Sequence, residues 1–167
     1  SYSVALGEYK AKAAAAKILT AKIKRENASY LAEIARKDAD IVEKDKAIAI
    51  KNANIIKYDN KLKQKEVDLA NAKTDAERVP ILTDLVSGWT AKYNEAQGII
   101  GDKDKQLATW ASKYGVLEKI SQNNKIGWDD AEGRVKALEK VRDKLSTDLR
   151  IARIGSKVKS VVVLTAI

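Results

Sequence analysis

The chain has 167 residues, a net charge of +9 from 32 basic and 23 acidic side chains, no Cys and no His. Without those two residue types it offers no thiolate nucleophile or ligand, and it lacks the commonest general base and metal-binding side chain. Basic and acidic residues alternate along most of the sequence, which is typical of solvated helical faces. The composition therefore predicts a non-enzymatic protein without a cofactor or a metal site, and it disfavours nucleic acid as a partner.

The first five residues are predicted to form an N-terminal tail, because the opening letters SYSVAL read as a strand. From residue 6 onward, apolar residues recur every seven positions. Position a of this repeat is aliphatic, whereas position d is largely Lys or Tyr. A repeat sustained over so many turns is typical of a coiled-coil helix, which we place at residues 6–73. Its packing row consists of Ile34, Ile41, Ile48, Ile55, Leu62 and Leu69.

A turn or kink is predicted at residues 74–80. Thr74 followed by Glu77 fits a capping box, in which each side chain accepts a hydrogen bond from an unpaired amide at a helix start. Pro80 has no amide hydrogen and is best tolerated near a helix start. A new helix is therefore expected to begin close to these residues.

A second long helix is predicted at residues 81–154, in a register shifted by three residues from the first. All three tryptophans of the chain fall on its apolar seam. Large aromatic side chains at such positions predict helix packing, and we expect the aliphatic row of the first helix to pack on them while the Lys face stays outside. The seam comprises Trp89, Tyr93, Leu107, Trp110, Tyr114, Leu117, Trp128, Val135, Leu138, Leu145 and Leu149.

The last residues, 155–167, are predicted to be a strand-like tail because β-branched residues follow a Gly. Just before and within this tail, Arg150, Arg153, Lys157 and Lys159 form a basic run without an acidic residue. Such a run is either a solvated helix end or a contact for an anion or a membrane surface.

These elements predict an all-α, elongated coiled coil of two long helices. An antiparallel hairpin is favoured, because it brings the two strand-like tails together and avoids rings of Lys in a seam between identical helices. The alternative is a continuous rod with a kink at Pro80. The pattern of Ala, Lys and Asp-rich repeats broken by one turn is similar to that of receptor-reaching bacteriocin hairpins and phage spanin-type rods.

A long, Cys-free helical pattern without a catalytic motif favours a structural function. The expected role is a spacer or an assembly component of a larger symmetric complex, such as a phage virion or tail part or a filament subunit. A virion or extracellular assembly is the favoured location, and the cytoplasm is the alternative. Its partners would be further copies of itself or other subunits. One alternative is a hairpin whose tip, near residues 72–84, binds a receptor. A further alternative is a rod tethered to a membrane surface through the C-terminal tail.

Overall fold

The computed structural model describes residues 1–166, and of Val161 and residues 163–166 only the backbone. Two α-helices account for the described chain: α1 spans Tyr2–Asn71 and α2 spans Asp75–Ala166. The helices pack against each other and the described residues contain no strand. The predicted all-α hairpin is therefore confirmed, and the continuous rod is excluded.

The predicted strand-like tails are wrong over residues 1–5 and 155–166, because both segments are helical. At the start of α1, the Ser1 hydroxyl accepts a hydrogen bond from the Val4 amide at 3.3 Å, so Ser1 caps the helix. At the other end, adding residues to a long existing helix requires no new nucleus, and the lower helix propensity of β-branched residues costs only tenths of a kcal/mol each. Residue 167 lies outside the described chain.

The connection between the helices is shorter than predicted, and only residues 72–74 lie between α1 and α2. The Thr74 hydroxyl accepts a hydrogen bond from the Glu77 amide at 3.2 Å, and the Glu77 carboxylate accepts one from the Lys73 amide at 3.0 Å. Pro80 lies inside α2 rather than before it. The cap at Thr74 sets the start of α2, and the nearby Pro does not prevent the helix from forming.

The chain divides into two units, each built from a segment of both helices. Unit 1 combines Ser1–Tyr30 with α2 from Glu118 onward, and unit 2 is Leu31–Leu117. In each unit the core is a thin line of contact between the two helices. The buried hydrophobic residues are Ala5, Ala16 and Val141 in unit 1, and Ile41, Ile48, Leu62 and Val116 in unit 2.

Little of the protein surface is removed from water by this packing. The chain exposes 12318 Å², compared with about 8,200 Å² for a typical folded monomer of its mass of 18.4 kDa. Of the predicted α1 row, Ile41, Ile48 and Leu62 are buried, whereas Ile34, Ile55 and Leu69 are only partly buried. Burial between α1 and α2 therefore leaves much apolar surface available for further packing.

Candidate interaction surface

The face that α2 turns toward α1 is not the tryptophan seam. In unit 2 the partly or fully buried positions of α2 form a different row, about half of it polar. This overturns the prediction that the aliphatic row of α1 packs on the tryptophan seam. The inward row is Ile81, Leu85, Gly88, Lys92, Glu95, Ile99, Asp102, Gln106, Thr109, Lys113 and Val116.

The physical reason lies in the lysines at position d of α1. Lys37, Lys44, Lys51 and Lys65 are all partly buried, so the prediction that the Lys face stays outside is also wrong. A partly buried ammonium group needs an anionic or hydrogen-bonding partner. Lys51 pairs with Asp102 across the interface, and Lys65 donates to Asp84 at 2.8 Å. Asp102 belongs to the inward row and Asp84 lies exposed beside it, whereas the tryptophan seam has no acidic side chain to offer.

Ion pairs also form in the opposite direction, from acids of α1 to lysines of α2. Asp38 pairs with Lys113 at 2.6 Å, and Asp59 pairs with Lys92 at 2.5 Å. Between these two pairs, the Gln106 amide donates to the backbone oxygen of Ile41 at 3.0 Å. Along the interface the lysine of an ion pair lies on α1 in some pairs and on α2 in others. This alternation fixes how α2 is aligned on α1, since a shifted alignment would bring like charges together.

Two ionisable groups in this interface have shifted pKa values. The hydrogen bond from Lys51 lowers the pKa of the Asp102 carboxyl, and the charge of the same lysine acts in that direction as well. The hydrogen bond to Asp84, together with the charge of that carboxylate, raises the pKa of Lys65. Both shifts favour the charged form, so these side chains hold their partners across the interface at neutral pH.

Glycine allows α2 to approach α1 closely at one point of the interface. A Cβ atom at Gly88 would lie 2.8 Å from the Cδ2 atom of Leu62, which is among the most buried residues of α1. Leu62 therefore packs directly on the backbone of α2.

The tryptophan seam itself lies in solvent. Trp89, Trp110 and Trp128 expose 52, 40 and 76% of their surface. At about 100° per residue, the seam is turned about 100° around α2 from the inward row. In unit 2 this exposed surface, here called the aromatic stripe, consists of Val79, Leu82, Val86, Trp89, Tyr93, Ile100, Leu107, Trp110, Tyr114 and Leu117.

Two tryptophans of the aromatic stripe are held by the interface ion pairs. The Lys92 ammonium lies 4.7 Å from the centre of the Trp89 ring while it also pairs with Asp59. The Lys113 ammonium lies 4.7 Å from the centre of the Trp110 ring while it pairs with Asp38. A cation over an indole face is attractive by roughly 0.5–1 kcal/mol at exposed sites. These contacts help to fix the orientation of the two indoles, and the Trp110 ring also lies beside that of Tyr114, with 6.2 Å between the ring centres.

Unit 1 also has polar contacts between its two helices and an exposed seam. The Asn123 amide donates to Glu26 and to Asn27, and the Asn27 amide donates to Asn124, each at 3.1 Å. The predicted seam residues of this unit are exposed, which again corrects the expectation that they pack on α1. They are Trp128, Val135, Leu138, Leu145 and Leu149.

The basic run lies on the last part of α2. Val141 is buried, whereas every residue from 142 to 160 is exposed, because α2 continues past the start of α1. Arg150, Arg153, Lys157 and Lys159 are therefore all on an exposed helix. Helical spacing places Ile151, Ile154 and Val158 on one face beside these basic side chains, and all three are exposed.

Three further observations concern metal binding, membrane spanning and the polar groups of the turn. Among residues 1–166, no group of three or more acidic side chains is arranged to hold a metal ion. Within the same range, no helix has a stretch apolar enough to cross a bilayer. The polar groups around the turn are engaged locally, since Arg78 pairs with Asp75 at 3.0 Å and donates to the Ala72 backbone oxygen.

No family model, curated protein sequence or solved structure matches this chain. The aromatic stripe is the surface that sequence reasoning placed wrongly, since its residues were recognised but were expected to be covered by α1. The signal that could have located it was the Lys row of α1. Lysines in that row need acidic or amide partners, and the tryptophan seam of unit 2 contains no acidic or amide side chain.

Proposed function

We propose that this chain is a non-enzymatic structural protein that assembles with further copies of itself through the aromatic stripe. The observation that carries the proposal is the exposure of ten apolar side chains at seven-residue spacing along one side of α2. Such spacing fits a helix with the same repeat, because only a helical partner keeps contact along the whole row. A second copy supplies helices of this kind.

The amount of exposed apolar surface supports an interaction role. Tyr93 and Tyr114 expose 62 and 65% of their surface, in addition to Trp89 and Trp110. An aromatic side chain buries about 150–250 Å² when covered, so these four contribute about 400 Å². The six aliphatic members add to this area. The largest apolar patch of a typical monomer is about 300–600 Å², and larger ones mark interaction sites.

Repeated contact between copies is what a virion part, a tail part or a filament subunit requires. The chain would serve there as a spacer, with its hairpin setting a distance and the aromatic stripe joining neighbours. This role needs no substrate and no cofactor, which agrees with the residue types that the sequence lacks.

The test compares two double variants. The positions changed in one variant are each adjacent in sequence to a position changed in the other. Val86→Gln with Leu107→Gln replaces two stripe residues that are 68 and 67% exposed, so the isolated hairpin should keep its stability. Ser87→Gln with Ala108→Gln is the control, since both residues are exposed on α2 but lie off the stripe. Each buried aliphatic side chain is worth about 1.5 kcal/mol or more, so the first pair should weaken association about a hundredfold.

Sedimentation velocity over a range of protein concentrations measures this association, and circular dichroism verifies that each variant is helical. We expect the original chain and the control to form assemblies, and the stripe variant to remain monomeric under the same conditions. A monomeric original chain, or assembly that the stripe variant leaves unchanged, would overturn the proposal.

A second candidate function, tethering to an anionic membrane surface, is favoured by the C-terminal part of α2. An exposed helix with Ile151, Ile154 and Val158 on one face and basic side chains beside them fits the interface of an acidic bilayer. Vesicles of phosphatidylcholine with and without phosphatidylserine provide the flotation test. Binding should require phosphatidylserine and should be lost when Arg150, Arg153 and Lys157 are changed to Gln; equal flotation of the variant excludes this function.

A further inference from the structure

The aromatic stripe follows a regular row of twelve helix positions from Val79 to Leu117. Steps of three and four residues alternate along this row, as they do between positions a and d of a coiled coil. Two of the twelve positions are not part of the stripe. Ala96, near the middle, is partly buried, and Lys103 is exposed. The order of side chains along the row decides which helix can cover it.

We propose that the aromatic stripe of one copy packs antiparallel on the aromatic stripe of a second copy, with Val79 of each copy opposite Leu117 of the other. The inference rests on the proposed self-assembly, and it names the surface that the stripe contacts and the direction of the contact.

The order of large and small side chains along the stripe is the first argument. In two antiparallel helices, position a of one lies opposite position d of the other. When the two stripes overlap over their full length, three of the four rings in each stripe face an aliphatic side chain. Such alternation fills an interface to the density of a protein interior. The pairs are Trp89 with Leu107, Trp110 with Val86 and Tyr114 with Leu82.

Lys103 gives the second argument, because it is the only charged residue among the twelve positions. The antiparallel alignment places it opposite Tyr93, the fourth ring, and an ammonium group is attracted to an aromatic face. Lys119 makes a contact of this kind in unit 1, where its ammonium lies 5.7 Å from the centre of the Tyr30 ring. A parallel alignment would instead set Lys103 against the same lysine of the second copy, and like charges across an interface repel.

Only one antiparallel alignment covers both stripes completely. A shift of seven residues in either direction leaves two positions uncovered at one end of each stripe. The same shift moves Lys103 from Tyr93 to Val86 or to Ile100, neither of which attracts a cation. Area and charge therefore favour the same alignment.

The contact has the size of a specific interface. The four rings of one stripe contribute about 400 Å². The six aliphatic side chains, which are 40–68% exposed, add about 300 Å². Two stripes covered together bury about 1,400 Å², and specific interfaces bury about 1,200–2,000 Å². The inward row lies about 100° around α2 from the stripe, so α1 of the same copy leaves the stripe open.

A stripe packed on the same stripe of a second copy forms a closed dimer, since the contact uses the same surface on both copies. This contact therefore yields dimers, and a larger assembly would be built from such dimers through other surfaces.

The experiment uses single cysteines at the two ends of the stripe, in a chain that has no cysteine of its own. Val79→Cys and Leu117→Cys are made in separate chains, mixed, and equilibrated in a glutathione buffer. A disulfide requires Cα atoms within about 7 Å. In the antiparallel dimer position 79 lies opposite position 117, whereas the two copies of position 79 are about 57 Å apart. We expect a disulfide-linked dimer in the mixture and none in either variant alone.

Ser87→Cys mixed with Ala108→Cys is the matched control. These two positions would lie at nearly the same level of the dimer, but both are on the exposed side of α2 away from the stripe. Non-reducing electrophoresis detects the linked dimers, and sedimentation velocity gives the masses of the original chain and of Val86→Gln with Leu107→Gln.

A linked dimer that forms only when Val79→Cys and Leu117→Cys are mixed, together with a dimeric original chain, supports the inference. Linkage within either single variant indicates a parallel contact, and linkage in the control mixture indicates an unspecific one; both overturn it. If no mixture is linked while Val86→Gln with Leu107→Gln loses assembly, the stripe contacts another surface, and the proposed function stands without this pairing. If that double variant assembles like the original chain, the proposed function itself fails.

Discussion

At the scale of single residues, lysine and aspartate decide which face of α2 meets α1. Four partly buried lysines of α1 lie in the interface, and Asp102 is itself buried beside Lys51. An apolar face of α2 would bury more hydrophobic surface but would leave Lys51 and Lys65 without the anions they find on α2. The other two lysines, Lys37 and Lys44, pair with Glu33 and Asp40 of α1 itself. Leaving a buried charge unpaired is costly, and the helix pairing follows the charges rather than the apolar seam.

Asp102→Asn should lower the stability of the protein at neutral pH and alter its dependence on acid. The folded protein holds the pKa of Asp102 below that of the unfolded chain, which is about 3.9 for Asp. The stabilisation is therefore complete above that pH and is lost as the pH falls through the folded pKa.

Urea unfolding of Asp102→Asn and of the original chain, followed by circular dichroism from pH 7 to pH 2, measures this effect. The difference in unfolding midpoint should be largest at pH 7 and should diminish toward pH 2. Asp104→Asn is the matched control, because Asp104 is exposed on the same helix. A difference that persists at pH 2 would show that the charge of Asp102 is not what stabilises the fold.

At the scale of the helices, glycine residues in α2 have different roles that depend on what they face. A Cβ atom at Gly115 would meet nothing within 4 Å, whereas one at Gly88 would press on Leu62. Alanine is the better helix former by about 1 kcal/mol at an exposed helix interior. Substituting alanine at each of the two sites therefore distinguishes the effect of helix propensity from that of packing between the helices.

We expect Gly115→Ala to raise the free energy of unfolding by about 1 kcal/mol. Gly88→Ala should raise it by less or lower it, because Leu62 has to move away from the new methyl group. Thermal and urea unfolding of the two variants measures the difference. Equal stabilisation at both positions would contradict the close packing of Leu62 on α2.

The turn and the helices could be predicted from the sequence, because their signals are local. Thr74 and Glu77 cap α2 through side chains a few residues apart, and the aliphatic row of α1 repeats every seven residues. Which face of α2 is covered could not be predicted from hydrophobicity, since the pattern of Trp, Leu and Val does not show where Lys51 finds its anion. The strand-like ends were predicted from β-branched residues, whose preference is too weak to end a long helix.

At the scale of the whole molecule, the proposed association through the aromatic stripe predicts that stability depends on protein concentration. Each hairpin buries only a narrow line of side chains between its helices, and among the described residues no side chain is fully buried. Partner copies that bind only the folded state stabilise it by mass action. Folding and assembly are therefore expected to be coupled.

The temperature of half-unfolding should accordingly rise with protein concentration, as followed by circular dichroism over a hundredfold range. The variant with Val86→Gln and Leu107→Gln should show no such rise, whereas Ser87→Gln with Ala108→Gln should behave like the original chain. A midpoint that is independent of concentration in the original chain would separate its folding from any assembly.

The two tryptophans that contact lysine have the same spacing along α2 as the paired aspartates have along α1. Trp89 and Trp110 are 21 residues apart in α2, and so are their anions, Asp38 and Asp59, in α1. Excising residues 39–59 together with residues 90–110 would place Lys113 three residues after Trp89 and leave it opposite Asp38. Such a matched deletion would merge the two contacts into one, of Asp38, Lys113 and Trp89, so both helices could shorten by 21 residues without losing that contact between them.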